Sequence, residues 1–352
     1  MAPDVPDEIR RRPVGVFDSG VGGLTVLHEL LVQLPAEDFV YLADSARFPY
    51  GGRTGAELEA FSLEVAEALI ARRVKLLVVA CNSATAAALP ALRERLMQTA
   101  EHGSARRRAE GIVSRRQEPP VRINDAEHRL TSRAAPGIHD PVPSTPPPIT
   151  DPHSPLSVDV LGVVQPGAVQ AVAATRNGRV GLLATPATVE SGAYAQAIRA
   201  ADPFVELTAV ACPDLAAIIE AGFPFDQHVV DTVRAYCAPL REAGVDTVVL
   251  GCTHYPLVRP MLQRMLGRGV RIIVSGDPLA HQVEHVLGAR GLANPRGANP
   301  RGSGTAEGEY SFLCTGDTDA FRALGTRFLQ LPLGAVEHVA IGGRELVGGG
   351  RP

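Results

Sequence analysis

The sequence contains a single lysine, Lys75, among its 34 lysine and arginine residues. A pyridoxal-phosphate enzyme needs a lysine to form its Schiff base with the cofactor. Lys75 stands just before an apolar run that reads as a strand, and α/β folds bind their ligands at the opposite, carboxyl end of their strands. This scarcity and this placement argue against pyridoxal phosphate as a cofactor.

Long apolar runs, a secretory leader and a broad basic surface are also missing. No run approaches the roughly 20 apolar residues that a transmembrane helix needs. Residues 1–12 are polar, which is untypical of a signal peptide, and the net charge of -4 gives no basic face for nucleic acid. We therefore expect a cytoplasmic protein that binds neither membranes nor nucleic acid, with a disordered tail over residues 1–12.

The five cysteines show no CxxC pair and no cysteine–histidine spacing typical of metal sites. Their irregular positions in a chain of 352 residues favour reduced thiols over a disulfide framework. The length and the 45% hydrophobic content are those of a globular protein with two domains. We expect no metal, and we expect some of the thiols to take part in chemistry.

Short apolar runs alternate with helix-period segments in the first part of the chain. Val14–Phe17, Phe39–Ala43 and Leu76–Ala80 are predicted strands, and Leu24–Leu34 and Ala56–Ala71 are predicted helices. This alternation is typical of a parallel α/β fold.

The alternation resumes after residue 155, and the two halves of the chain match each other. The predicted strand Val180–Ala184 ends at Thr185 as the first strand ends at Asp18, and Val248–Gly251 ends at Cys252 as the third strand ends at Cys81. A duplication with this pattern predicts two pseudosymmetric α/β domains, each a mostly parallel sheet flanked by helices. The two cysteines would then face one interdomain cleft, which we expect to hold the active site.

Three segments are expected to lie outside the folded domains. Residues 99–155 are rich in arginine and proline and poor in aromatic and β-branched residues, so we expect a disordered insertion there. Docking of an acidic partner is the alternative interpretation of its charge runs. The glycine-rich segment Gly288–Gly308 is predicted to be a flexible loop, and residues 346–352 a flexible tail.

Cys81 and Cys252 each leave an apolar strand for a polar turn near a predicted helix N-terminus. Such a position favours the thiolate, and the neighbouring His254 can exchange protons with a thiol. A lone cysteine at a strand end is as often a small buried hydrophobe, but two at matching positions of a duplication favour a paired chemical role. We assign the other three, which lack this context, to packing: Cys212, Cys237 and Cys314.

Polar and glycine-rich turns flank these cysteines. Asp18 opens a turn that lets a ligand approach the backbone, but it lacks the spacing of a nucleotide-binding loop. We expect Asp18 to bind an ammonium group or to position a thiol, with helix capping as the alternative. The loop Pro49–Gly52, with Tyr50 and Gly51 at its centre, would overhang the same cleft or be a simple turn. The hydroxyls of Ser83 and Thr253, with nearby amides, can hold a carboxylate.

Four segments together resemble the signature motifs of glutamate racemases: GVFDSGVGGLT at 15–25, PYG at 49–51, CNSA at 81–84 and GCTHYP at 251–256. The resemblance covers nearly all of the chain outside the insertion and the termini. Ser83 stands where the family commonly has threonine, which keeps the hydroxyl.

The resemblance implies a cofactor-independent racemisation of glutamate that supplies D-glutamate for peptidoglycan synthesis. It implies that Cys81 removes the α-proton of D-glutamate and Cys252 that of L-glutamate. Asp18 and His254 would tune the adjacent thiols, and Glu220 matches a further family acid near the second cysteine. The positions matching substrate contacts are Asp18, Ser19, Tyr50, Gly51, Asn82, Ser83, Thr253 and His254.

The resemblance also implies the domain boundaries and the assembly. The first domain would comprise residues 13–98 and 276–345, and the second residues 156–275. The family suggests a homodimer, and some relatives bind DNA gyrase.

Three other functions stay open at this point. An aspartate racemase would use the same thiols with a different pocket for the side chain, although the GCTHYP form favours glutamate. A cysteine amidohydrolase would need only one nucleophilic thiol. An amino-acid binding protein would hold its ligand without exchanging the α-proton.

Overall fold

The computed structural model describes residues 5–97, 158–223, 226–298 and 307–342. The predicted insertion at 99–155, the tail at 346–352 and part of the glycine-rich segment lie outside these ranges. Within them, the strands are β1 (Val14–Asp18), β2 (Phe39–Ala43), β3 (Leu76–Val79), β4 (Asp159–Gly162), β5 (Arg179–Ala184), β6 (Glu206–Ala211), β7 (Thr247–Gly251), β8 (Arg271–Val274), β9 (Tyr310–Cys314) and β10 (Val336–His338).

Helices connect and flank these strands. They are α1 (Asp7–Arg10), α2 (Leu24–Gln33), α3 (Gly55–Ile70), α4 (82–97), α5 (Val164–Ala174), α6 (Pro186–Glu190), α7 (Ala193–Ala201), α8 (Leu215–Glu220), α9 (Gln227–Glu242), α10 (Arg259–Leu266), α11 (Gly276–Ala289) and α12 (Thr318–Leu329). Short 3₁₀ helices lie at Ser45–Arg47, Tyr50–Gly52, Tyr255–Val258 and Pro295–Ala298. None of the helices in the described ranges has both the length and the apolarity to span a membrane.

Two parallel sheets form the fold. The first has the strand order β10-β9-β2-β1-β3-β4 and the second the order β6-β5-β7-β8. The run β2-β1-β3-β4 therefore repeats as β6-β5-β7-β8, which confirms the predicted α/β duplication. Both sheets belong to one compact unit, formed by the described parts of Met1–Leu96 and Val158–Pro352.

The strands that precede the two cysteines are buried along their whole length. All four residues of β3 and all five of β7 are inaccessible to solvent or nearly so. Their continuous apolar runs suit central strands covered on both faces by helices. Each fully buried leucine or valine there contributes roughly 1.5–3 kcal/mol, so the strand ends that bear the cysteines are held rigidly.

The position of β4 differs from the predicted division at residue 156. β4 pairs with β3 in the first sheet, with Val78 opposite Leu161 and Val79 opposite Gly162. The segment assigned to the second domain thus begins with a strand of the first sheet. The reason is that β3 would otherwise leave an unpaired edge, and β4 covers that edge as β8 covers β7.

The N-terminal segment also differs from the prediction of a disordered tail over residues 1–12. Residues 7–10 form α1, and Ile9 is buried. The backbone oxygen of Arg10 accepts a hydrogen bond from Lys75 Nζ at 2.5 Å. The buried Ile9 side chain and the hydrogen bond from Lys75 help to hold this short segment against the first sheet.

Candidate active site

Cys81 and Cys252 occupy equivalent places in the two sheets. Cys81 lies between the end of β3 and the start of α4, and Cys252 lies between the end of β7 and the 3₁₀ helix at Tyr255–Val258. Their exposed fractions are 5% and 7%. Both line one cavity of about 180 Å³. Two thiols from separate sheets therefore share one small cavity.

Most of the residues predicted for the site lie around this cavity. Those that line it are Ser19, Tyr50, Gly51, Cys81, Asn82, Ser83, Cys252, Thr253 and His254. Asp18 and Glu220 stand behind the lining and reach it through other residues. The turn between β1 and α2, the loop after β2 and the two cysteine turns thus meet at one place.

Asp18 forms hydrogen bonds inside the wall of the cavity. Its carboxylate is fully buried and accepts hydrogen bonds from the amides of Gly20 and Gly23, at 3.1 and 3.0 Å. The hydroxyl of Thr253 also donates to it, at 3.3 Å. Burial raises the pKa of Asp18, although His254 and these donors oppose the rise. Asp18 therefore ties the glycine turn to the second cysteine turn.

The environment of Cys81 contradicts the expectation that both turns favour the thiolate. Burial raises the pKa of Cys81 strongly, and the negative charge of Asp18 raises it further. The amide of Ala84, 3.5 Å from the sulfur, lowers it by less. Desolvation outweighs the helix N-terminus here, so Cys81 is a neutral thiol at physiological pH.

Cys252 has a different neighbour. Its sulfur lies 3.8 Å from Nδ1 of His254, whose Nε2 lies 2.8 Å from Oε1 of Glu220. Burial lowers the pKa of His254, but its hydrogen bonds to Cys252 and Glu220 outweigh burial and raise the pKa to about 10. His254 is therefore a cation at neutral pH, and its Nδ1 faces the Cys252 sulfur.

Replacement of Glu220 by glutamine should shift the alkaline limb of the pH–rate profile to lower pH. Glu220→Gln removes an anion that holds the proton on His254, so the imidazolium is lost below pH 10 instead of near it. Proton NMR of the His254 ring, recorded across the same range, should follow the kinetic profile. His281→Gln is the matched control. It removes an exposed histidine that lies between two carboxylates on α11, and the pH–rate profile should not change.

The same histidine links stability to pH. Because folding raises the pKa of His254 from 6.5 to about 10, its contribution to stability is complete below about pH 6.5 and is lost as the pH rises toward 10. Glu220→Gln should reduce this dependence in urea titrations. An unchanged NMR titration in Glu220→Gln would show that Glu220 does not hold the His254 proton.

The loop after β2 presents Tyr50 and Gly51 to the cavity in a defined way. The Tyr50 hydroxyl donates to the buried carboxylate of Asp44, which also binds Nε of Arg47 at 2.6 Å. The phenol oxygen is thus engaged away from a ligand. A Cβ at residue 51 would lie 2.8 Å from the Cβ of Thr185, so only glycine fits there.

Several lining residues were not predicted from the sequence. One of them is Thr185, whose hydroxyl forms a triangle with those of Ser83, a predicted residue, and Thr188, which is not in the lining. The oxygen separations are 2.9, 3.0 and 3.2 Å. A signal for Thr185 existed, since it stands at the carboxyl end of β5 as Asp18 stands at the carboxyl end of β1. Pro49 and Gly52 belong to the loop that was predicted to overhang the cleft. The residue before this loop and those in or next to α6 and α8 carried no such signal: Phe48, Pro186, Pro213, Ala216 and Ala217.

The remaining ionisable groups do not form a metal site. Across the described ranges, no three His, Cys, Asp or Glu side chains are grouped so that they could hold a metal ion. Cys212, Cys237 and Cys314 are buried and do not line the cavity. Burial raises the pKa of Cys237 to about 11, as expected for a cysteine that serves in packing.

The chain is similar in sequence and in structure to known racemases. Residues 153–283 match the Asp/Glu/Hydantoin racemase family. Glutamate racemase from Acidothermus cellulolyticus is 37% identical over 328 residues, covering 93% of this chain and 99% of the relative. The structure of glutamate racemase RacE1 from Bacillus anthracis has a TM-score of 0.71 at 30% identity, covering 94% of this chain and 98% of that one.

A further solved structure carries a ligand. Glutamate racemase from Francisella tularensis, in complex with D-glutamate, has a TM-score of 0.69 at 26% identity and covers 94% of this chain and 98% of that one. The duplicated sheets, the shared cavity and these similarities define an isomerase, an amino-acid racemase. The chain belongs to the glutamate racemase family.

Proposed function

We propose that the protein interconverts L-glutamate and D-glutamate by proton transfer between Cα and two thiols, Cys81 and Cys252, without pyridoxal phosphate or a metal. The observation that carries this proposal is that two buried cysteines, at equivalent positions of a duplicated fold, line the same small cavity. Racemisation needs a base on one face of Cα and an acid on the other, with roles that exchange with the direction. Two equivalent thiols meet this need.

The protonation pattern suggests how a cycle begins. Cys252 lies beside the His254 cation and is the base that removes the α-proton of L-glutamate. Cys81 is a neutral thiol and supplies a proton from the other face to give D-glutamate. The forward step leaves Cys81 as a thiolate and Cys252 as a thiol. The reverse direction starts from that state, with Cys81 as the base that removes the α-proton of D-glutamate and Cys252 as the acid that protonates the other face. Glu220 and Asp18 act through His254 and the cysteine turns rather than on the substrate.

The α-proton is far less acidic than a thiol, so the site must stabilise the developing carbanion. Donors that are already oriented toward the substrate carboxylate achieve this without reorganisation. The N-terminus of α4, at Asn82 and Ser83, faces the cavity and suits a carboxylate. Among the described residues, no lysine or arginine lines the cavity, so the substrate anion depends on neutral donors and on the His254 cation.

The small size of the cavity and the hydroxyl groups in its wall support a small dicarboxylic amino acid. Its volume of about 180 Å³ lies below the roughly 300–1,000 Å³ of typical ligand pockets. The hydroxyl triangle of Ser83, Thr185 and Thr188 offers donors for a second carboxylate. The D-glutamate bound to the Francisella tularensis relative supports glutamate as the substrate. In the cytoplasm this reaction would supply D-glutamate for peptidoglycan.

Circular dichroism tests the proposal directly. The purified protein, treated with a chelator and given no cofactor, should bring either L-glutamate or D-glutamate to an equal mixture of both. Parallel incubations with L-aspartate should change far more slowly. Faster conversion of aspartate would favour an aspartate racemase, and binding of glutamate without any change of signal would favour a binding protein.

A further inference from the structure

A buried hydrogen-bond network joins the two cysteine-bearing parts of the site. The hydroxyl of Tyr194, on α7, donates to Oδ1 of Asn82 at 2.7 Å. The same hydroxyl lies 3.1 Å from Oγ of Ser275, which in turn lies 3.5 Å from the backbone oxygen of Leu250. The network thus runs from the residue after Cys81 to the end of β7, two residues before Cys252.

The ring of Tyr194 is fixed independently of this network. Tyr194 has an exposed fraction of 1% and belongs to the hydrophobic core of the second sheet, where it packs with residues such as Leu182 and Val249. Its hydroxyl is therefore held at one place. Tyr194 does not line the cavity, whereas Asn82 does.

The hydrogen bond to Oδ1 determines what Asn82 offers to a ligand. A side-chain amide has an oxygen that accepts and a nitrogen that donates two hydrogen bonds. With Oδ1 occupied by Tyr194, the Nδ2 group, which has no protein acceptor among the described residues, is left as a donor in the cavity wall. The reversed amide would present its oxygen to a substrate carboxylate and repel it.

We propose that Tyr194 is a positioning residue that fixes the Asn82 amide with its NH₂ group toward the substrate, and that Ser275 supports the Tyr194 hydroxyl from behind. This inference rests on the proposed function, since it takes a carboxylate as the ligand of Asn82. The hydrogen bond from Asn82 to the substrate carboxylate would be the same in the ground state and in the transition state. Its loss should therefore weaken substrate binding more than it slows the chemical step.

A double-mutant cycle separates this role from a merely structural one. Tyr194→Phe removes one oxygen and keeps the ring in the core. It should raise KM about tenfold for both enantiomers, with kcat changed less than threefold. In the Asn82→Ala background the same change should have no further effect, because the group it positions is gone. Tyr236→Phe, which removes a hydroxyl bonded to the backbone amide and carboxylate of Asp214, is the control and should leave KM unchanged.

Two further measurements keep the test decisive. Ser275→Ala should also raise KM, by a smaller factor than Tyr194→Phe, and this effect should vanish in the Asn82→Ala background. This variant replaces Tyr194→Phe in the cycle if Tyr194→Phe does not fold. If the wild-type protein fails to racemise glutamate, the proposed function is wrong, and calorimetric binding of D-glutamate then tests the positioning alone. Effects of Tyr194→Phe and Asn82→Ala that simply add, or an unchanged KM in Tyr194→Phe, would overturn the proposal.

Discussion

Replacement of either Cys81 or Cys252 by alanine should lower the rate of racemisation in both directions by a factor on the order of 10²–10⁴, the usual contribution of a positioned acid or base. Each direction needs one thiol to remove a proton and the other to return one. Both sulfurs line the same cavity, and no other cysteine does so among the described residues. The loss should therefore be equal for L-glutamate and D-glutamate.

Any chemistry left in the single variants should be one-sided. Cys81→Ala keeps the base assigned to L-glutamate, so slow exchange of the α-proton with solvent deuterium is expected in L-glutamate and not in D-glutamate. Cys252→Ala should show the opposite preference. The signals to follow are circular dichroism for racemisation and mass spectrometry for exchange.

Cys237→Ala is the matched control. Cys237 is equally buried but sits in α9 and does not line the cavity, so this variant should keep the wild-type rate. A normal rate in Cys81→Ala or Cys252→Ala would remove that cysteine from the mechanism. Exchange of both enantiomers at equal rates in one variant would contradict the assignment of each thiol to one face.

Lys75→Met should lower the free energy of unfolding by about 3–5 kcal/mol, as expected when one partner of a buried ion pair is removed. The Lys75 side chain is inaccessible to solvent, and its Nζ lies 2.5 Å from Oε2 of Glu37. The other carboxylate oxygen of Glu37 accepts from the amide of Asn294 at 2.6 Å. Without Lys75, a buried carboxylate would remain with too few donors.

Urea titration and activity assays on the same preparation test this prediction. The double variant Lys75→Met and Glu37→Leu should recover much of the lost stability, because both charges are then gone. The folded single variant should racemise glutamate at nearly the wild-type rate, since Lys75 lies before β3, at the edge opposite the cysteines. Wild-type stability in Lys75→Met would refute the structural role, and a folded but inactive variant would give Lys75 a place in the chemistry.

The sequence predicted the sheets well because their strands are short apolar runs with polar ends. The first three predicted strands agree with β1 to β3 within one residue, and the paired positions of Cys81 and Cys252 followed from the duplication. Burial on both faces makes such strands visible in a sequence. The same reasoning missed β4, because four residues beside a long polar segment give no periodicity to read.

The protonation of the site was harder to predict than its location. A helix N-terminus next to Cys81 suggested a thiolate, but the sequence gives no measure of desolvation. The structure places Asp18 close behind the same sulfur, and burial then dominates. The contrast between a neutral Cys81 and a Cys252 beside a cationic His254 depends on contacts across the fold, such as the one with Glu220.

Second-layer contacts were also beyond the reach of motifs. Tyr194 is 112 residues away from Asn82 along the chain and belongs to a helix with no unusual composition. Thr188 and Ser275 likewise look like ordinary polar residues in the sequence. They matter because the fold brings their hydroxyls against side chains that line the cavity or that bond to its lining, and only a three-dimensional arrangement reveals that.

Incorporation of solvent deuterium at the start of the reaction is the most direct test of two thiols acting from opposite faces of Cα. L-glutamate is incubated with the enzyme in deuterium oxide, and the reaction is stopped before a tenth of the substrate has reacted. The two enantiomers are then separated, and their masses are measured by mass spectrometry. The D-glutamate formed should carry deuterium at Cα, while the remaining L-glutamate should keep its hydrogen. D-glutamate that retains the original hydrogen would mean that one group moves the proton across, and the account of Cys81 and Cys252 as separate acid and base would be wrong.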